Sequence, residues 1–279
     1  MKLKIFSSGS AGNATLIRIK DKKILVDVGI SKKDLEYNLA LEGLVINDID
    51  FLFITHEHID HIRSFQAMLK SEKLTIIMSK GTFAYISKCY QNKPMAMKGI
   101  AEKLRCNKMI LVGKLENDFV YPKLNFECFD VQILPLFHDA IEPIGFIFYE
   151  DLKKLTYITD TGYVHTSLNE LIKDSDAFIL ESNHDPELLM ASDRPFLLKR
   201  RILGNDGHLS NEDSMVILAL CMGKNTKYVF HAHVSQECNL SIVIENTRND
   251  VFKKYNIDSS HVEFKILGLS PTEVYEIWK

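Results

Sequence analysis

Phe51-Leu52-Phe53-Ile54-Thr55-His56-Glu57-His58-Ile59-Asp60-His61 is the stretch on which the reading of this chain turns. Its first five residues form an apolar, β-compatible run suited to a buried strand. The next six hold three histidines and an aspartate. Imidazole and carboxylate are ligands that suit zinc, iron or manganese. Donors this closely spaced cannot all face one ion. A tight turn places His56 and His58 on one ion and Asp60 and His61 on a second. Two ions roughly 3.5–4 Å apart can share a hydroxide, clamp an oxyanion and lower the pKa of bound water toward about 7. The segment is not the zincin pattern H-E-x-x-H, because Asp60 stands where the second histidine is required.

Outward from that stretch, short apolar runs alternate with helical patterns. Strands are predicted over 3–6, 15–19, 24–28, 51–55, 75–78, 132–136, 145–148, 155–159, 177–180 and 228–230, where β-branched residues concentrate. Ser31, with Asp34 three residues on, starts a helix that Gly43 ends. Further helices are predicted over 61–70, 167–173, 186–203, 211–221 and 241–254. Asp185 before Pro186, and Ser210 with Asp213, are start signals. The stretch 94–122 reads as a short helix and a hairpin. No linker, repeat or low-complexity tract interrupts residues 1–279, which read as a single domain with a central sheet and flanking helices.

The 279 residues are 46% hydrophobic and 25% charged, enough for a sizeable core. The formal net charge of −3 means that nucleic acid would have to be met by a local basic patch. Cys89, Cys106, Cys128, Cys221 and Cys238 are odd in number and never form a C-x-x-C pair, which argues against a disulfide framework and a zinc ribbon. No signal-peptide pattern opens the chain, and no run approaches about 18 apolar residues. A cytoplasmic protein is expected, without membrane association and with no protein partner predicted.

Several distant residues share one property. His56, Asp160 and Glu181 each sit at or just beyond the end of a predicted strand, and His138 follows the 132–136 strand with Phe137 between. Ligands in α/β folds gather beyond the carboxyl ends of strands. Near the C-terminus, His231 and His233 lie on one strand face and either could serve as a ligand.

On these residues the chain resembles the metallo-β-lactamase-fold hydrolases over nearly its whole length. The resemblance implies an α+β, four-layer αβ/βα sandwich with two divalent metal ions at one edge, zinc first and manganese or iron as alternatives. It implies that His56, His58 and His138 hold one ion, that Asp60, His61 and His233 hold the other, and that Asp160 bridges them. It selects His233 over His231 by its place two residues before Ser235-Gln236. Asp27, in Leu25-Val26-Asp27-Val28-Gly29, resembles the family's aspartate that orients a ligand histidine, a role in which a carboxylate fixes the imidazole tautomer.

The segments Ser8-Gly9-Ser10-Ala11-Gly12-Asn13, Glu181-Ser182-Asn183-His184-Asp185, Lys199-Arg200-Arg201-Ile202, Gly207-His208-Leu209-Ser210-Asn211 and His233-Val234-Ser235-Gln236-Glu237 are similar to the bacterial YycJ/WalJ-type subfamily. Cys238 departs from that pattern, which more usually has asparagine there. The resemblance implies a phosphodiesterase or nuclease acting on DNA or RNA. Asp60 would orient the hydroxide, and His208, paired with Glu181, Asp185 or His184, would protonate the leaving alkoxide. His184 would support the site. Ser8, Asn13, Lys199, Arg200 and Arg201 would meet phosphate oxygens. A thioester or lactone hydrolase is the alternative, and a non-catalytic metal-binding regulatory module is a third reading.

Overall fold

The computed structural model describes residues 1–114 and 121–278. Contacts divide the chain into two compact units, one of Met1–Phe129, Ala140–Ile144 and Leu269–Lys279, the other of Asp130–Asp139 and Gly145–Gly268.

In chain order the elements are β1 (Lys2–Ser7), β2 (Ala14–Ile19), β3 (Lys22–Val26), α1 (Lys32–Leu41), β4 (Phe51–Phe53), α2 (Ile59–Ile62), α3 (Phe65–Met68), β5 (Thr75–Ser79), α4 (Lys80–Tyr90), α5 (Pro94–Arg105), β6 (Met109–Val112) and β7 (Lys123–Asn125). There follow β8 (Asp130–Pro135), β9 (Ile144–Glu150), β10 (Lys153–Ile158), α6 (Asn169–Ile172), β11 (Ala177–Glu181), α7 (Pro186–Ala191), α8 (Phe196–Ile202), α9 (Asn211–Cys221), β12 (Tyr228–Ala232), α10 (Ser241–Lys254), β13 (Glu263–Ile266) and β14 (Tyr275–Glu276).

The first unit is built on a mixed sheet in the order β14-β1-β2-β3-β4-β5-β6. β1 to β3 form an antiparallel meander, and β3 to β6 run parallel. Every residue of β5 is buried, the continuous pattern expected of a parallel strand covered on both faces. Leu25, Leu52 and Ile76 pack with Leu35 and Leu39 of α1 and with Phe65 and Met68 of α3 in one apolar cluster. Each such fully buried side chain contributes about 1.5–3 kcal/mol.

The second unit orders its strands β13-β12-β11-β10-β9-β8. β8 to β10 are consecutive, β9 and β10 pair antiparallel, and β10 to β13 are parallel. Its core joins Ile158, Phe178, Leu180 and Val229 to Met215 and Leu218 of α9 and to Ile244 and Phe252 of α10. Two mixed sheets with their helices make the chain α+β.

Two helices expected to be continuous are broken. The 61–70 pattern is α2 and α3, because the chain at Ser64 is pinned elsewhere: its N–H donates to Val28 O and its Oγ to Ile30 O. The 186–203 pattern is α7 and α8. Pro195 opens α8, and a proline bars the residue before it from helical backbone. α4, β13 and β14 were not foreseen. α5 is the short helix expected in 94–122, while part of that stretch, residues 115–120, lies outside the described residues.

Candidate metal centre

In the first unit the donors sit on the loop that leaves β4. His56 and His61 are buried, with ring centroids 4.0 Å apart, and the His58 ring lies 4.6 Å from His56. His61 donates from Nδ1 to Asp27 Oδ2 at 2.8 Å. Thr55 adds its N–H to Oδ1 and its Oγ1–H to Oδ2 of the same carboxylate, each at 2.9 Å. Asp27 thus fixes His61 in the tautomer whose Nε2 carries a lone pair, the form a metal accepts. Complete burial pushes the Asp27 carboxyl above its ordinary range, against the lowering effect of His61.

The loop reaches this position because Gly29 has no side chain. A Cβ there would lie 1.5 Å from Asp60 O. The close approach lets Val28 N donate to His61 O and Asn13 N to Asp60 O. Asp60 Oδ2 stands 3.7 Å from His61 Nε2. Asn13, expected at a phosphate, is 3% exposed and places its Nδ2 3.0 Å from His61 Nε2 and its Oδ1 on Gly9 N. Ser8 is buried as well. Glu57, between the histidines, points into a different network, accepting from Thr82 Oγ1 and Ile141 N.

In the second unit the parallel strands deliver their groups at their carboxyl ends. Asp160 follows β10, Glu181 ends β11 and His233 follows β12. Asp160, Glu181, His208 and His233 each offer a donor atom within 4.8 Å of the others. Glu181 Oε1 accepts from His208 Nδ1 at 2.7 Å and lies 3.0 Å from His233 Nδ1. Its Oε2 accepts from Thr161 N at 2.9 Å. Burial raises the Glu181 carboxyl, but His208 and His233 outweigh it and hold the group below the usual carboxylate range. His233 Nε2 turns to Asp160 Oδ1 at 3.3 Å.

His138 belongs to the same unit, its Nδ1 donating to Gly207 O at 2.9 Å and its ring centroid 4.9 Å from that of His208. Burial lowers the His138 pKa. Gly162 lets the two loops meet, since a Cβ there would be 2.0 Å from Asn205 O.

The expected ancillary residues divide. Lys199 is buried, with Nζ donating to Met190 O and Ser192 O, so its ammonium is spent on the α7–α8 turn rather than offered to a phosphate. Arg201 pairs with Asp139 at 2.8 Å, and Asp139 reaches His138 Nε2 at 3.1 Å. Arg200 is exposed. His184 is 1% exposed and its ring meets no hydrogen-bond partner among the described residues; burial pushes its pKa down to about 4. His231 is buried against Phe264 with a pKa pushed down to about 3, whereas His233, past the strand end at φ 52°, reaches the acidic cluster. The two rings therefore do not share a face.

Sequence reasoning overlooked Thr55 and Asn183. Asn183 places Nδ2 3.2 Å from His233 Nδ1 and donates it to His233 O at 2.8 Å. Its place two residues after Glu181 was the available signal. Both donor sets, imidazoles and carboxylates already ordered by carboxylates or amides, are of the composition that borderline divalent ions take.

The Beta-lactamase superfamily domain model matches residues 22–232. Exodeoxyribonuclease YycJ of Bacillus anthracis is 34% identical over 236 residues, 85% of this chain and 83% of that protein. Exodeoxyribonuclease WalJ of Streptococcus pneumoniae is 30% identical over 272 residues, covering 97% and 94%. Among solved structures, the metallo-beta-lactamase fold protein YhfI from Bacillus subtilis aligns with a TM-score of 0.65 at 15% identity over 99% of each chain. The short form of human tRNase Z aligns with a TM-score of 0.61 at 19% identity, covering 85% of this chain and 93% of its own.

Proposed function

The chain belongs to the beta-lactamase superfamily and is a metal-dependent hydrolase, and on that footing we propose that it is a nuclease cleaving phosphodiesters of DNA. The carrying observation is the Glu181–His208 pair at 2.7 Å. Glu181 holds the His208 proton at Nδ1, which directs Nε2 toward a substrate. Phosphodiester cleavage expels an alkoxide, which needs a proton as it leaves. A thioester expels a thiolate, which does not. The relatives' names give an exodeoxyribonuclease activity, which favours DNA over RNA.

On the family pattern His56, His58 and His138 would hold one divalent ion, Asp60, His61 and His233 a second, and Asp160 both. Zinc suits these donors first, then manganese or iron. Bound ions would supply a more acidic water and charge stabilisation at phosphorus. Asp60 accepts a hydrogen bond from the attacking water and aims its lone pair. Charged His208, its Nδ1–H kept on Glu181, passes its Nε2 proton to the departing oxygen. Asp27 and Thr55 keep His61 in one tautomer, and Asn183 and Glu181 orient His233. Arg200 offers its guanidinium to a phosphate. The described cysteines are all free, which fits a cytoplasmic setting, and no helix of the described residues is long and apolar enough to cross a membrane.

The test offers purified protein, supplied with manganese or zinc, end-labelled DNA, end-labelled RNA and an acyl thioester. Release of nucleotides from DNA is expected. Thioester turnover without phosphodiester cleavage overturns the reading.

A further inference from the structure

The first unit holds a recess that the metal centre does not use. It is a cavity of about 340 Å³, within the roughly 300–1,000 Å³ range of small-molecule sites. Phe6, Ile30 and Pro271 give it apolar walls, and Tyr37, Asn38 and Arg63 give it polar groups.

Three independent features distinguish it from a packing defect. Tyr37 is 63% exposed, an aromatic ring left open on α1. Arg63 is exposed and has no ion-pair partner among the described residues. Asn38 is 5% exposed and donates Nδ2 to Asp34 O at 2.8 Å, while its Oδ1 meets no donor among the described residues. The cavity's acid, Asp34, is occupied at the helix start, where Ser31 Oγ donates to it at 2.6 Å.

These groups match the parts of one nucleotide. An open ring suits a base, because every base has a π-face. A guanidinium suits phosphate. A buried amide oxygen suits an N–H donor, which every nucleobase carries. The place fits too. Arg63 follows His61 by two residues, so their Cα atoms are at most about 7.6 Å apart. Ser7, in the cavity wall, donates Oγ to Gly12 O, and the next residue, Asn13, reaches His61 Nε2.

We propose that this cavity seats a nucleotide of the substrate strand one or two steps from the scissile phosphate, with its base on Tyr37 and its phosphate on Arg63. The proposal rests on the nuclease reading and is tested so that the two can fail separately. The metal-stripped full chain is titrated calorimetrically with deoxyadenosine 5′-monophosphate and with deoxyribose 5-phosphate, which lacks the base. The nucleotide is expected to bind at least ten-fold tighter, Tyr37→Ala to erase that difference, and Arg63→Gln to weaken both ligands about ten-fold. Equal binding of the two ligands by the unaltered chain, or nucleotide binding unchanged in Tyr37→Ala, overturns the proposal.

A second arm varies the substrate instead of the protein. An oligonucleotide with an abasic residue next to its cleaved end is expected to raise KM about ten-fold for the unaltered chain, with no further rise in Tyr37→Ala. Cleavage of DNA with the same KM for intact and abasic strands removes the cavity assignment alone. Tyr37-dependent nucleotide binding without cleavage of any nucleic acid removes the nuclease reading and leaves a mononucleotide site.

Discussion

His233 Nε2 lies 3.3 Å from Asp160 Oδ1, and both residues hold left-handed backbone, with φ of 52° and 56°. Asp27, at φ 59°, does the same at the end of β3. Such backbone costs a non-glycine residue of order 1–3 kcal/mol, and it turns a strand end sharply enough to present its side chain to the site. Asp160→Gly is therefore expected to raise the melting temperature of the metal-stripped protein by roughly 2–4 °C, about 1 kcal/mol in a chain of this size. The same variant should lose the added stability that zinc or manganese gives the unaltered chain. A lower melting temperature in the metal-stripped variant would count against this account.

Gly29→Ala should act oppositely. The new Cβ falls 1.5 Å from Asp60 O, a backbone atom that cannot swing aside. Displacing the 56–61 loop is expected to cost about 3 kcal/mol or more, since it breaks the Val28–His61 and Asn13–Asp60 backbone bonds together. Denaturant unfolding of the metal-stripped protein gives the stability change, and elemental analysis should show reduced metal content.

His208→Ala should slow cleavage of DNA about 10²–10⁴-fold and slow an activated aryl phosphodiester far less, because an aryloxide departs without a proton. Equal loss on both substrates would assign His208 to scaffolding.

Acid stability should follow the buried imidazoles. Burial lowers the pKa of His184 to about 4 and of His231 to about 3, against an ordinary value near 6.5. Between those values the unfolded chain binds protons that the folded chain refuses, so stability falls as pH drops from about 6.5 toward 3 and is fully present above 6.5. Denaturation midpoints at pH 7.5 and 5 should differ, and His231→Phe, which keeps a ring against Phe264, should narrow the difference. An unchanged difference would place the acid sensitivity elsewhere.

Removing Asp27 tests the orientation of His61. Asp27→Asn keeps the shape but offers Nδ1 a weaker or wrongly placed partner, and is expected to weaken metal binding about 10–100-fold. Thr55→Val should give a smaller loss in a competition titration with a chelator.

Most strands were legible in the sequence because their β-branched runs are buried, as in the fully buried β5, whereas β13 and β14 are short and partly exposed and left no such run. The H-x-H-x-D-H run stood out because four donors of metal-binding type fall within six residues directly after a strand. The roles of long polar side chains were not. Lys199 carries the same charge in sequence whether it meets a phosphate or the carbonyls of Met190 and Ser192. The break at Ser64 was hidden because the competing acceptors, Val28 O and Ile30 O, come from a distant strand end. Asn183 was passed over for its neighbour His184, since a histidine looks chemically richer until burial leaves it neutral and apart from the hydrogen-bonded cluster.

One oxygen, Glu181 Oε1, serves both His208 and His233. A substitution at Glu181 therefore frees two rings at once, and the losses in DNA cleavage from Glu181 and His208 variants will not add, because the two sites share one contact.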